Sequence, residues 1–316
     1  MNNQNHISIV IIGYNTCNQL SILLKSINNQ KLDNQLIEII YIDDGSSDKS
    51  FQMFNDFITP YKKISKKFQN NRGRVEATQA GITLASGKWL FFVRSNEFLN
   101  PNTLREYSLA IESNLGFAYI GAVNYKCNDK SFLNYLNNKK RGSGLSPKGY
   151  FLHYRYLLFN NSLIHKKVFK KLSLNKNFRY YGGEELEFAF RLNENYKNKI
   201  IAWPTAIVTR TDYPTFKVHC VRLEEFGSTN FLFLNHKLKK EVIKFGFLLH
   251  KNIFIKNINI LIFKVLYGLC LKSKNETINF YIIRACFLSS ILKGYYSVSK
   301  SPDSKSSIVA SSQSSD

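Results

Sequence analysis

The sequence is short of acidic residues, with 22 Asp and Glu against 44 Lys and Arg in 316 residues, a formal net charge of +22. It is short of sulfur too. Its five cysteines lie far apart with no Cys-x-x-Cys spacing, which excludes a disulfide framework and a zinc ribbon and fits a reducing cytosol. No apolar run reaches the about 18 residues of a simple membrane span, so a polytopic membrane protein is excluded. The start, MNNQNHISIV, lacks the basic region, long apolar core and cleavage site of a secretory signal. There is no internal repeat and no metal-ligand spacing among the histidines. The chain does not lack apolar residues. A 44% hydrophobic fraction, 14% of the chain being aromatic, excludes a disordered polymer and allows a large core.

Charge of one sign attracts polyanions such as nucleic acid, anionic headgroups and phosphate-bearing substrates. Wealth in Lys, Asn, Ile, Tyr and Phe also follows from AT-rich codons, which accounts for a share of the basicity. No base-reading motif is present, so specific nucleic-acid binding is not expected.

The first hundred residues alternate strands with helices. Ile7–Ile12 (ISIVII) is a six-residue run rich in β-branched residues and closed by Gly13, the pattern of a buried parallel strand, and Ile37–Ile42 (IEIIYI) reads as a second strand, stopping at Asp43-Asp44-Gly45. Helical spacing runs over Asn18–Asn28 and Arg74–Ala85, a short strand is expected near Ile64–Phe68, and Trp89–Val93 is the next. Phe117–Val123 continues the sheet, and Arg141–Gly149 reads as a glycine-rich basic loop. This alternation predicts a mostly parallel α/β sheet whose ligands bind outside the carboxyl ends of the strands. Residues 1–229 form this domain. Residues 230–296, rich in lysine among apolar runs such as Ile258–Phe263, read as basic amphipathic helices suited to an anionic membrane surface or to packing on the core. Residues 297–316 are Ser-rich and expected to be disordered.

Three clusters could carry chemistry. Asp43 and Asp44 end a buried strand, where carboxylates could accept hydrogen bonds from a base or ribose or simply build a turn. Tyr14 sits at the same edge, where it could stack on a base. Gly182-Gly183-Glu184-Glu185 opens a helix whose body is apolar. The acids suit the helix dipole, yet a carboxylate there could also act as a general base. Arg191 is expected to pair with Glu187 at i,i+4. Arg72 and Arg74 are read as an exposed basic face, with contact to phosphate as the alternative, and Trp203-Pro204 as a packing corner at a strand end, with an acceptor-sugar platform as the alternative.

ISIVIIGYN, EIIYIDDGSSDKS, AGITLASGKWLFFV and GGEELEFAFRL occur in the order and spacing of the inverting family 2 glycosyltransferases, and over roughly residues 5–230 the chain resembles them. The resemblance implies a GT-A fold, a Rossmann-like, mostly parallel sheet flanked by helices, here with a basic helical extension. It implies transfer of a sugar from a nucleotide donor, UDP-sugars favoured, to a glycan or lipid-linked acceptor in polysaccharide or glycolipid synthesis. The enzyme would be cytoplasmic and peripheral at the inner membrane surface. Tyr14 resembles the base-stacking aromatic, Asp44 the base-binding acid with Asp43 beside it, Glu185 the general base and Glu184 the residue orienting the acceptor. Departures concern the diphosphate. The family's Asp-x-Asp motif for Mn²⁺ or Mg²⁺ is replaced by Arg94-Ser95-Asn96-Glu97, a helical Arg by Thr78, and a His after the Ala206–Val208 strand by Thr209-Arg210. Three readings stay open: Arg94 or Arg210 as countercharge, a metal held by Asn96 and Glu97, or a degenerate module that binds nucleotide or glycan without turnover.

Overall fold

The computed structural model describes residues 6–30, 37–244, 265, 268 and 275–298. Ile258–Phe263 and most of the Ser-rich tail lie outside these residues.

Among the described residues, the apolar runs of the first hundred positions become strands and the amphipathic stretches helices. In order these are β1 (Ile7–Gly13), α1 (Cys17–Asn28), β2 (Ile37–Asp43), α2 (Ser50–Asp56), β3 (Lys62–Lys67), α3 (Arg74–Leu84), β4 (Trp89–Arg94), β5 (Glu97–Leu99), α4 (Thr103–Ser113), β6 (Ala118–Tyr125) and α5 (Lys130–Leu136). They continue as β7 (Ser162–His165), α6 (Lys167–Lys171), α7 (Glu184–Asn195), β8 (Ile200–Arg210), α8 (Phe216–Ser228), α9 (His236–Lys244) and α10 (Glu276–Val298). The basic loop holds a 3₁₀ turn at Gly142–Leu145.

The strands form one sheet in the order β3-β2-β1-β4-β7-β6-β8-β5. The first four are parallel, as the sequence predicts. The short β7 enters antiparallel between β4 and β6, and β5 pairs antiparallel with β8. β1 is buried at every position but Ile12, as a strand covered on both faces must be. The edge strand β3 reads Lys-Lys-Ile-Ser-Lys-Lys, and its lysines guard an open edge against further pairing. Trp203 and Pro204 lie within β8 rather than at a strand end. Pro204 is accommodated where the β6–β8 register shifts between Ile120/Ala202 and Ala122/Ile207. Trp203 is buried, with its indole N–H donating to Glu106 Oε2 at 3.1 Å.

The chain divides into two compact units. One comprises 1–128, 136–179 and 184–213; the other gathers 129–135, 180–183 and 214–316. In the second, α8 packs along α10 so closely that a Cβ on Gly294 would strike the Glu224 carbonyl. Among the described residues, no helix is long and apolar enough to cross a membrane.

Candidate active site

Sheet register builds the site. Gly13 at the end of β1 lies opposite Asp43 at the end of β2, and Ile12 opposite Arg94 at the end of β4. Tyr14, Asp44 and Ser95, each one residue further on, therefore meet at one edge. They line a cavity of about 220 Å³, together with Arg74, Thr78, Asn96, Phe159, Glu185 and Arg210.

The wall made by the β1 and β2 loops is held by hydrogen bonds between neighbouring loops. Asp44 accepts backbone N–H bonds from Arg72 at 2.8 Å and Gly73 at 3.1 Å. Burial nevertheless pushes its pKa up, outweighing those donors, with the Asp43 and Glu76 charges adding to the rise. Asn15 accepts from the Ser47 N–H at 2.9 Å and gives its own N–H to Ser46 Oγ, so the two loops are tied together. Tyr14, half exposed at 50%, presents its ring at the mouth. Asp43 is not brought to the cavity: it is fully buried, accepting from the Ser46 N–H at 2.7 Å and the Tyr41 hydroxyl at 3.3 Å.

The opposite wall is made of charges paired across the fold. Glu185 Oε1 accepts from Arg94 Nη2 at 3.2 Å and from the Phe159 N–H at 3.1 Å. Behind it, Phe188 of α7 meets Phe159 and stacks on Phe169 at 5.2 Å between ring centres, so the apolar body of the helix fixes its first turn. Glu184 is buried, ion-paired with Arg74, and does not line the cavity. Burial raises its pKa against the pull of Arg74, with the charge of Glu185 adding to the rise. Arg74 thus faces the site rather than forming an exposed basic patch, as the sequence suggested. Glu187 and Arg191 pair as expected, at 2.6 Å.

The segment in place of the acidic metal motif is occupied differently. Asn96 Nδ2 donates to Asp212 Oδ1 at 2.8 Å, and Arg210 Nε lies 3.7 Å from the same oxygen. Glu97 is buried, accepts the Arg94 N–H at 2.9 Å and does not line the cavity; its Oε1 has no hydrogen-bond partner. Burial raises its pKa despite Arg94 and Arg210. Among the described residues, no group of three His, Cys, Asp or Glu could hold a metal ion. Two guanidiniums and an amide where a divalent cation would need carboxylates do not fit one. Sequence reasoning missed Asp212, and it preferred an exposed basic face for Arg74 over a place at the site. Neither carries a local signal, because both gain their roles from partners distant in sequence.

The family model described as Glycosyl transferase family 2 matches residues 8–173, just over half of the chain. The chain belongs to this family. GlyG, a glycosyltransferase of Streptococcus pneumoniae, is 29% identical over 135 residues, 42% of this chain and 44% of its own. The chain spans under half the length of the curated relatives it matches. Among solved structures, Staphylococcus aureus TarS 1-349 in complex with UDP superposes with a TM-score of 0.58 at 14% identity, covering 96% of this chain and 92% of that one. The mannosyltransferase PcManGT of Pyrobaculum calidifontis, in complex with GDP-Man and Mn²⁺, does so with a TM-score of 0.63 at 11% identity, covering 92% and 87%. At such identities the likeness establishes the fold, which is of GT-A type with helices beyond the sheet.

Proposed function

We propose that this family 2 protein is an inverting glycosyltransferase that moves a sugar from a nucleoside diphosphate, a uridine diphosphate in preference, to a hydroxyl of a glycan or lipid-linked acceptor. The role suggested is cell-surface polysaccharide or glycolipid synthesis at the cytoplasmic face of a membrane. One observation carries the reading: Tyr14, Asp44, three arginines and Glu185 line a single cavity at the carboxyl edge of the sheet. Binding of UDP and GDP-Man by the two fold neighbours supports a nucleotide there.

The base stacks on Tyr14 and donates an N–H to Asp44, whose oxygens already point correctly because the loop backbone holds them. Glu185 takes the acceptor hydroxyl proton as the oxygen attacks the anomeric carbon. The bond from that carbon to the diphosphate breaks, and the electron pair leaves with the nucleotide. Arg94, Arg210 and Arg74 supply positive charge to the departing phosphates, which guanidinium groups bind through paired N–H donors. Before the donor arrives, Arg94 is engaged by Glu185. A diphosphate competes for that guanidinium, and its arrival frees the base.

Calorimetry with UDP, GDP, dTDP and CMP, each in EDTA and in Mn²⁺, tests this. One nucleotide is expected to bind in EDTA, and Arg94→Ala to weaken it about 10- to 100-fold, the loss of one charge-assisted contact. Binding only with Mn²⁺ would replace the arginine reading with a metal at Asn96 and Asp212. No binding in either condition would leave a degenerate module.

A further inference from the structure

The other end of the sheet carries a second cavity, about 460 Å³, lined by His6, Ser86, Gly87, His165 and the lysines Lys88, Lys166, Lys167 and Lys170. It opens at the amino ends of β1 and β4 and the carboxyl end of the antiparallel β7. It therefore lies the length of β4, about 20 Å at the usual rise per residue, from the donor cavity.

Its chemistry is that of an anion site. No carboxylate lines it, and among the described residues none of its four lysines forms an ion pair with one. Lys166 spends its ammonium on the Ala85 carbonyl, and Lys167 sits 3.5 Å from the centre of the Phe117 ring, which leaves their charge uncancelled. The buried acid Glu38, bonded to two residues of the cavity lining, has its charge met by Ser8, Ser86, Gly87 and Lys62. Gly87 keeps the floor low: a Cβ there would lie 2.6 Å from Ser8 Oγ and 2.9 Å from the His6 carbonyl. His165 adds a directional donor. Its Nδ1 accepts the Lys167 N–H at 3.0 Å, so the neutral ring carries its proton on Nε2. Burial, with Lys167 and Lys88 beside it, holds its pKa down at about 4, so the ring is a neutral N–H donor among cations at neutral pH.

We propose that this basal cavity binds a phosphate ester, remote from the donor site, through Lys88, Lys167, Lys170 and His165. The ester could come from an anionic lipid headgroup or from a soluble phosphorylated compound. The lipid source would turn the sheet's amino edge to the bilayer and leave the donor cavity facing away from it.

Two probes separate the sources. Inorganic phosphate is titrated into the full chain while the His165 ring is followed by NMR, with and without saturating UDP. Phosphatidylcholine vesicles, with and without phosphatidylglycerol, are then tested by flotation at low salt. The combined variant Lys88→Ala/Lys167→Ala/Lys170→Ala is compared with Lys25→Ala/Lys139→Ala/Lys217→Ala, which removes the same charge from exposed positions elsewhere. Phosphate is expected to shift the His165 signals with UDP present, and the basal variant to abolish that shift while the control keeps it. Phosphatidylglycerol-dependent flotation that falls about 100-fold in the basal variant alone assigns the headgroup. A His165 response without flotation assigns a soluble ester. No His165 response, or equal losses in the two triple variants, overturns the site.

Discussion

The two walls of the donor cavity satisfy their polar groups in opposite ways. On the Tyr14 and Asp44 side, neighbouring loops bond one another, largely through backbone N–H groups: Asp44 accepts from Arg72 and Gly73, and Asn15 accepts from Ser47 and gives its own N–H to Ser46 Oγ. On the other side, charged and polar side chains in and behind the wall pair across the fold: Glu185 with Arg94, Glu184 with Arg74, and Asp212 with the Asn96 amide. A wall tied by backbone donors is preorganised and presents fixed acceptors, which suits a base of constant shape. A wall of mutually paired ions can exchange partners, which suits a diphosphate that arrives charged and leaves with more charge. The first should fail when backbone geometry is disturbed, the second when charge is.

The sharpest break falls on the ionic wall. Glu185→Gln keeps the size of the side chain and an acceptor for Phe159, but removes the base. Turnover, measured as nucleotide release from the donor that binds, should fall by about 10²–10⁴-fold. Affinity for the nucleotide should hold or rise, since Arg94 is no longer engaged by a carboxylate. Retained turnover would remove Glu185 from the chemistry and leave it as the structural partner of Arg94.

The loop wall is broken through Gly45. It sits at φ +83°, and a Cβ would lie 2.6 Å from the carbonyl carbon of Asn70 and 2.7 Å from the amide nitrogen of Asn71. Gly45→Ala should cost about 1–3 kcal/mol of stability in urea unfolding. It should also weaken nucleotide binding by displacing the adjacent Asp44. Because the strain is steric, the loss should be the same at low and high salt, whereas that of Arg94→Ala should shrink as salt rises. Equal salt dependence in both variants would erase the distinction between the walls.

The same division governs what the sequence reveals. The position of Asp44 is legible because a buried strand ends at its neighbour Asp43, and the turn residues after it are local signals. Glu185 is legible because four residues mark a helix start and the apolar helix body follows. The pairing of Arg94 with Glu185 spans 91 positions and that of Asn96 with Asp212 spans 116; no local pattern encodes either. Sheet topology divides likewise. The parallel β3-β2-β1-β4 half follows from strand–helix alternation. The antiparallel entry of β7 rests on four apolar-rich residues, Ser-Leu-Ile-His, too few to show a period.

The smallest effect is a pH slope from the buried acid behind the ionic wall. Glu97 is buried, and its native pKa is raised by desolvation in spite of Arg94 and Arg210. In the unfolded chain a glutamate titrates near about 4.3. Between that value and the raised native one, the folded state holds a proton that the unfolded state has lost. The stabilisation is therefore fully present below the unfolded value and is lost as pH rises through the window. Asp44 and Glu184 slope in the same direction, whereas Glu38 slopes the other way. Burial works against Glu38 too, but hydrogen bonds from Ser8, Ser86 and Gly87 hold its pKa down. Glu97→Gln keeps an acceptor for the Arg94 N–H and removes one titrating group. Urea midpoints measured from pH 4 to pH 8 should fall less steeply in this variant than in the wild type, with the gap opening toward neutral pH. Parallel curves would mean that Glu97 is ionised throughout, its charge fully met by Arg94 and Arg210. The ionic wall would then hold one more fixed charge pair than its burial predicts, and would be less free to exchange partners with a diphosphate.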